Sequence, residues 1–339
     1  MNGKLMFYRK FSLLHQKSVK NFRYTFDCRF SVVNKAPKML RENLTSEDLE
    51  IAISETTKVP YFLNVHLALK LQKSSGFPEA DWRSFWFKTE QGKRVDFVSK
   101  TMKIPGFRNF LLICSELDIQ LDKTQMFEAF DKLSCEIKDM FDINGPVVLC
   151  FNPILDFFSE WYHKKFPNFY LKQYPCFYYY MSEDQMNRLL EDTKDGIRLP
   201  EGYYWDEADP EKDAQVLFET WKHSCPGDYE GLQAKVRNLP SSMIRVSGTG
   251  EPAAFELTDP CGFLNHLFTQ PAHRLKGLGS AAEKGLCVKL IKKGIIPAKD
   301  VEIVNTQVVK SSDKDPYWTK WEDSEGNPVQ MVFLRITPK

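Results

Sequence analysis

The order of elements read from residues 200–339 predicts an α+β fold built on a mixed sheet. Strand, helix, helix, three strands, helix and two strands follow one another there. Two kinds of observation carry this reading: alternating apolar and polar runs that pair across tight turns, and apolar residues at helical spacing between them. At 339 residues the chain suits about two domains at roughly 150 residues each. It divides into a basic N-terminal segment, 1–41, an N-terminal α/β domain, 42–199, and a C-terminal domain, 200–339.

The elements follow in order. Thr45-Ser46-Glu47-Asp48 is a capping-box pattern that opens a helix through Ile53. A strand-rich stretch follows, in which residues 83–88 and 94–99 flank Glu90-Gln91-Gly92 as a hairpin. Residues 110–114 form a short buried strand, and 124–141 a helix with Phe127, Phe130, Leu133, Ile137 and Phe141 on one face. Residues 147–151 are a strand, Pro153 opens a helix to about Lys165, and 177–180 are an aromatic strand. Ser182-Glu183-Asp184-Gln185 is a second capping box.

Beyond a boundary loop at 199–202, residues 203–206 read as a strand and 213–222 and 229–238 as helices. Strands 242–246 and 253–257 pair across Gly248-Thr249-Gly250, and 262–269 adds a third antiparallel strand. A helix at 278–293 and strands at 301–305 and 329–336 complete the chain.

The balance of 46 Lys and Arg against 45 Asp and Glu hides an asymmetry. Residues 1–41 hold ten basic groups and one acid, leaving 36 basic and 44 acidic groups in the rest. An acidic body argues against a phosphate-backbone binder, whose affinity depends on clustered Lys and Arg. The head carries Met6, Phe7, Phe11, Leu13 and Leu14 among Arg9, Lys10 and Lys17, the amphipathic, acid-poor pattern of a mitochondrial import peptide. Cytoplasmic residence is the alternative. No run approaches the ~18 apolar residues of a membrane span. The eight cysteines are widely spaced and give no zinc pattern, so no metal is expected and structural thiols are.

The chemistry concentrates at Pro271-Ala272-His273-Arg274-Leu275-Lys276-Gly277-Leu278-Gly279-Ser280, where a strand passes through a glycine-bearing turn into a helix. Glycine lets the backbone approach a ligand closely. The N–H groups of a first helical turn then form an anion site suited to a pyrophosphate. A dinucleotide fingerprint needs a third glycine in a parallel βαβ unit, and a Walker loop needs Gly-Lys-Ser/Thr; neither is present.

This Arg-x-x-Gly-x-Gly turn, with its preceding hairpin and following strand, resembles the acyl-CoA-binding motif of the GNAT (N-acetyltransferase) superfamily. Residues 252–274 resemble the glycine N-acyltransferase family more closely, as do Lys293-Gly294-Ile295-Ile296-Pro297 and the pair Trp318 and Trp321. The resemblance covers about 200–339. It implies a GNAT-like mixed sheet with two splayed central strands, 262–269 and 301–305, preceded by a smaller α/β domain of related fold. Acyl-CoA, acetyl or aroyl, is the implied co-substrate. Its pantetheine would meet the backbone of Phe268 and Thr269, and its pyrophosphate would sit on the turn Arg274, Leu275, Lys276, Gly277, Leu278, Gly279 and Ser280. Asn305 would line the cleft.

The implied reaction is attack of a small-molecule amine, glycine or a similar amino acid, on the thioester. The family's glutamate base falls on Phe263, which cannot accept a proton. Glu256 lies on the previous strand and His266 three residues further on; His266 shares a face with Phe263 only if a bulge intervenes. Ser312, seven residues after Asn305, is the implied proton donor to the thiolate. Phe263 also motivates a non-catalytic acyl-CoA-binding protein, and a protein-lysine or polyamine acetyltransferase is the enzymatic alternative.

Overall fold

Thr45 opens the first helix as its sequence requires. Its hydroxyl accepts from the Asp48 N–H at 3.0 Å while the Asp48 carboxylate accepts from the Thr45 N–H at 2.9 Å. The computed structural model describes residues 40–141, 145–225 and 227–339, so the import-like head lies almost wholly outside the described residues. In chain order, β1 (Arg41–Glu42) leads to α1 (Ser46–Glu55) and α2 (Leu63–Ser74). Next come β2 (Ala80–Lys88), β3 (Arg94–Met102), β4 (Phe110–Ser115), α3 (Lys123–Glu136), β5 (Val147–Cys150) and α4 (Ile154–Lys165). β6 (Phe169–Tyr180) and α5 (Glu183–Asp192) precede β7 (Tyr203–Asp206), α6 (Ala214–Thr220) and α7 (Asp228–Asn238). β8 (Ser241–Val246), β9 (Pro252–Thr258) and β10 (Leu264–Thr269) form a meander, followed by α8 (Leu278–Lys292). The chain continues through β11 (Ala298–Glu302), α9 (Thr306–Lys314), β12 (Thr319–Lys320) and β13 (Gln330–Pro338).

Several elements differ from the sequence reading, among them β6, which begins eight residues before the aromatic run 177–180, and four others. α2 occupies part of a stretch read as strand-rich; Leu63, Val65, Leu67, Ala68 and Leu69 are all buried, so no amphipathic stripe marks it, and Phe62 supplies no side-chain cap. The helix expected over 124–141 ends at Glu136, because Ile137 leaves helical geometry (φ −121°) before a 3-10 turn at Lys138–Phe141. β11 starts at Ala298 and ends at Glu302, three residues earlier than expected at each end. Asn305 therefore stands at the start of α9, a helix the polar composition of 306–314 concealed.

Among the described residues the strands form one sheet in the order β1-β2-β3-β4-β5-β13-β6-β11-β10-β9-β8-β7, with β12 beside β6. β13 lies between β5 and β6, antiparallel to both, with Val332 opposite Cys150 on one side and Pro175 on the other. Segments 42–199 and 200–339 thus share one hydrogen-bonded sheet. The parallel pair β10 and β11 meets at a single register position, Leu264 opposite Lys299, and the strands then part. That is the splay the resemblance implies.

Side-chain alternation sorts the helices onto two faces. Ala254 packs with Leu278, Ala281 and Ala282 of α8, whereas Phe255 and Leu257 pack with Leu217 of α6 and Leu232 of α7. An aromatic core fills the other half: Phe130 meets Phe158 at 5.2 Å and Trp161 at 5.3 Å between centroids. Such pairs contribute about 0.5–1.5 kcal/mol each beyond the area they bury. Trp321 crosses between the halves, with ring contacts to Tyr61, Phe151 and Tyr178 at 5.5, 5.7 and 5.9 Å. Among the described residues no helix is long and apolar enough to cross a membrane, and no His, Cys, Asp and Glu cluster could hold a metal ion.

Candidate active site

The turn after β10 is shaped by two left-handed residues. Leu275 (φ 60°) is fully exposed, and Gly277 (φ 78°) stands directly before α8. No side chain caps α8, so its leading N–H groups, at Leu278, Gly279 and Ser280, face outward without intrahelical acceptors. A Cβ on Gly277 would meet nothing within 4 Å, which leaves open space where an anion would sit; one on Gly279 would lie 3.1 Å from Thr269 Oγ1. Arg274 is turned back onto the strand end, donating from Nε to the Thr269 carbonyl at 3.0 Å with its guanidinium 5.6 Å from the Phe268 ring centroid. Lys276 reaches the Tyr203 hydroxyl. The geometry fits a polyanion held chiefly by backbone, with two cations at its rim.

Where β10 and β11 part, a cavity of about 520 Å³ opens. One wall is the stretch from Phe263 to Phe268 and the other runs from Lys299 to Glu302, with Asn305 beyond it. The loop Thr220–Cys225 covers one side, and Lys100, Phe107, Arg108, Phe110 and Val147 extend the lining from the N-terminal half. That contribution of the first half was not visible in the sequence.

The bulge that His266 needs is present. The register of β10 against β9 shifts between Asn265 and Phe268, and His266 takes φ 61°. Phe263 and His266 consequently line the same cavity, despite a spacing that strict alternation would send to opposite faces. His266 is buried between Trp221, at 4.7 Å, and Phe255, at 5.3 Å, with Nε2 3.1 Å from the Thr220 hydroxyl. Burial, followed by the charge of Lys235, lowers its pKa to about 3. An imidazole so hard to protonate is a weak proton acceptor at neutral pH, so packing takes from His266 the basicity expected of it.

Ser312 lies on α9, buried to 2% exposure, with no hydrogen-bond partner for its hydroxyl; it is not among the residues lining the cavity. The polar run around Ser312 is a helix with Ser312 on its inner side. Phe263 presents its ring edge-on to Phe333 at 5.8 Å.

The cavity holds buried acids. On the α8 face, Lys299 Nζ lies 2.5 Å from Glu283 Oε1 and 4.2 Å from the Trp318 ring centroid. Glu256 lines the same region with Oε2 unpartnered. Burial, then the charge of Glu283, drive its carboxyl well above the usual range, with Lys299 opposing. On the α7 face, Asp259 accepts from Lys235 Nζ at 2.8 Å and lies 3.8 Å from Lys100. Against the upward push of burial, Lys100 and Lys235 hold its carboxyl below the ordinary range. Asp300 has neither oxygen hydrogen-bonded, and burial, reinforced by Asp259, raises it to about 8. The sequence offered one signal for these groups, the charges of Lys299, Asp300 and Glu302 within a central strand. Placing that strand three residues late concealed it.

No protein-family model matches the chain, and no curated protein does. Among solved structures, a Drosophila protein from a structural-genomics programme aligns over 87% of this chain and 98% of its own, with 16% identity and a TM-score of 0.64. The two share a fold. A tandem GNAT protein from the clavulanic acid biosynthesis pathway aligns over 88% of this chain and 98% of its own, at 10% identity and a TM-score of 0.49. A GCN5-related N-acetyltransferase from Sphaerobacter thermophilus aligns over 90% and 97%, at 8% identity and a TM-score of 0.47.

Proposed function

We propose that this chain is an acyl-CoA-dependent N-acyltransferase that moves an acyl group from the CoA thioester to the amine of glycine or a similar small amino acid. The observation that carries the reading is the junction of two features. The parting of β10 from β11 after one register pair leads directly to a glycine turn whose helix offers free N–H groups. Pyrophosphate would be held by the backbone of Leu278 to Ser280 with Arg274 and Lys276 beside it. Pantetheine would follow Phe268 and Thr269 into the splay, delivering the thioester to the cavity. Asn305 lines the far wall.

The glycine assignment rests on the sequence resemblance of residues 252–274, and mitochondrial residence on the basic head. In the cavity, backbone N–H groups near Leu267–Thr269 would polarise the thioester carbonyl, and preorganised donors of that kind are often the largest catalytic term. Phe263 supports a second reading, acyl-CoA binding without transfer, since the family's base position holds a phenyl ring against Phe333.

One assay separates the two. Purified protein is given benzoyl-CoA or acetyl-CoA with glycine, and free thiol is followed. Amine-dependent thiol release is expected. Saturable acyl-CoA binding without it would reject transfer, and acetyl-CoA turnover with lysine peptides or polyamines but not glycine would move the acceptor class.

A further inference from the structure

Asp300 is the second residue of the splay, one position beyond the sole β10–β11 register pair, Leu264 opposite Lys299. Lys299 faces α8, where it meets Glu283, so alternation turns Asp300 to the opposite face, toward α7 and the Thr220–Cys225 loop. Its carboxylate oxygens are both out of contact with solvent and both lack a hydrogen-bond partner, and the residue lines the cavity.

The other acids on that side are already paired. Asp259 is held by Lys235 and also accepts from the Cys261 N–H at 2.9 Å. Glu302 is bonded by Lys222 at 2.9 Å and by His223 at 2.8 Å. A buried carboxylate with no internal partner is costly to a fold. A bound cation would satisfy it.

We infer that Asp300 is the group that binds the acceptor amine and takes its proton. This inference rests on the acyltransferase reading. The ammonium of the acceptor gives one proton to the Asp300 carboxylate, freeing the nitrogen lone pair. That pair attacks the thioester carbon; the C–N bond forms, the C–S bond breaks, the nitrogen's second proton passes to the departing thiolate to give the free thiol, and Asp300 returns its proton to solvent. No oxidant or further reactant is required. The approach is from the α7 face, where the Thr220–Cys225 loop forms the cavity wall, while pantetheine enters through the splay.

The groups that face Asp300 fit this task. Asp259, from the turn after β9, raises its affinity for a proton; Tyr178 and Cys176 of β6 and Cys114 of β4 are neutral neighbours whose own pKa values burial pushes up. Lys100 and Lys235 share Asp259 between them. Asp300 thus keeps the basicity that an ion pair would remove, and near neutral pH it is matched to proton transfer.

The test uses the full chain with glycine as acceptor, over a pH range in which its amine stays an ammonium throughout, so that any limb in kcat/KM belongs to the enzyme. Wild type is expected to gain activity as pH rises through about 8. Asp300→Asn is expected to lower kcat about 10²–10³-fold, to abolish that limb, and to leave the CoA dissociation constant within about 3-fold. Asp300→Glu is expected to restore part of the rate and the limb. Asp300→Ser, smaller and uncharged, gives the same comparison if the amide variant fails to fold. A variant that binds CoA and keeps both the wild-type rate and the limb overturns the assignment of Asp300 alone. Wild type without amine-dependent thiol release overturns the acyltransferase reading, and this inference with it.

Discussion

Lys276 Nζ donates to the Tyr203 hydroxyl at 2.8 Å, and that hydroxyl also meets His273 Nδ1 at 2.9 Å. A residue of β7, the strand farthest from the splay on this side of the sheet, thereby fixes a cation at the rim of the turn. The acidic body of the protein has no broad positive field to gather a polyanion, so the position of each rim cation matters. Replacing Tyr203 by Phe removes the tether and keeps the ring. A hydrogen bond of this kind contributes about 0.5–1.5 kcal/mol, so CoA affinity is expected to fall about 2–10-fold. Calorimetric titration at fixed ionic strength measures it.

The glycines of the turn answer to different constraints. Gly277 has open space around it but a φ of 78°, so any L side chain there strains the backbone, whereas Gly279 is limited by Thr269. Left-handed geometry costs an L residue about 1–2 kcal/mol, and a β-branched one more. Gly277→Val and Gly279→Val are each expected to weaken CoA binding at least about 10-fold. Wild-type affinity in both would move the pyrophosphate elsewhere.

His266 makes the fold sensitive to acid. Its pKa falls from 6.5 when unfolded to about 3 in the folded chain, so the unfolded state binds the extra proton first. The stability this group contributes is complete above pH 6.5 and is lost as pH falls toward 3. The loss approaches about 5 kcal/mol at its full extent, about 1.4 kcal/mol for each pH unit below 6.5. His266→Gln is expected to flatten that part of the acid limb, read as the difference between urea-unfolding curves of the two proteins across pH 7 to 4.

Gly231 of α7 lies under the Phe107 ring: a Cβ there would come within 1.8 Å of Phe107 Cε2. Both elements border the cavity, one from each half of the chain. Gly231→Ala is expected to destabilise by about 1–3 kcal/mol through overpacking. Adding Phe107→Ala should recover much of that loss. A double-mutant cycle by denaturant unfolding gives the coupling, and strict additivity would show that the two residues do not touch.

The fold of the C-terminal half was largely readable because its meander and its α8 carry strong local signals. Within 242–269 the turn signals Gly248-Thr249-Gly250 and Asp259-Pro260 separate three short apolar runs, and the Arg274-x-x-Gly277-x-Gly279 turn marks both the end of β10 and the start of α8. Non-local facts were less accessible. That β13 would enter between β5 and β6 follows from no local pattern, and that Lys100 and Arg108 line the cavity follows from that sheet order. Within the site, His266 was found by chemistry, and the bulge it needs was named as a condition. Asp300 was missed because period-2 reading cannot fix where a short buried strand begins, and three residues decide which side chains enter a splay.

The place of β13 has a bearing on how the protein is made. The strands on either side of it, β5 and β6, are translated long before residues 330–338 leave the ribosome. Until then each presents an open edge of unpaired N–H and C=O groups. The N-terminal half therefore cannot settle as a finished unit during synthesis, as domains in sequence usually do. Closure of its sheet waits for β13, and a folding intermediate that lacks it carries two open edges prone to pair with other chains.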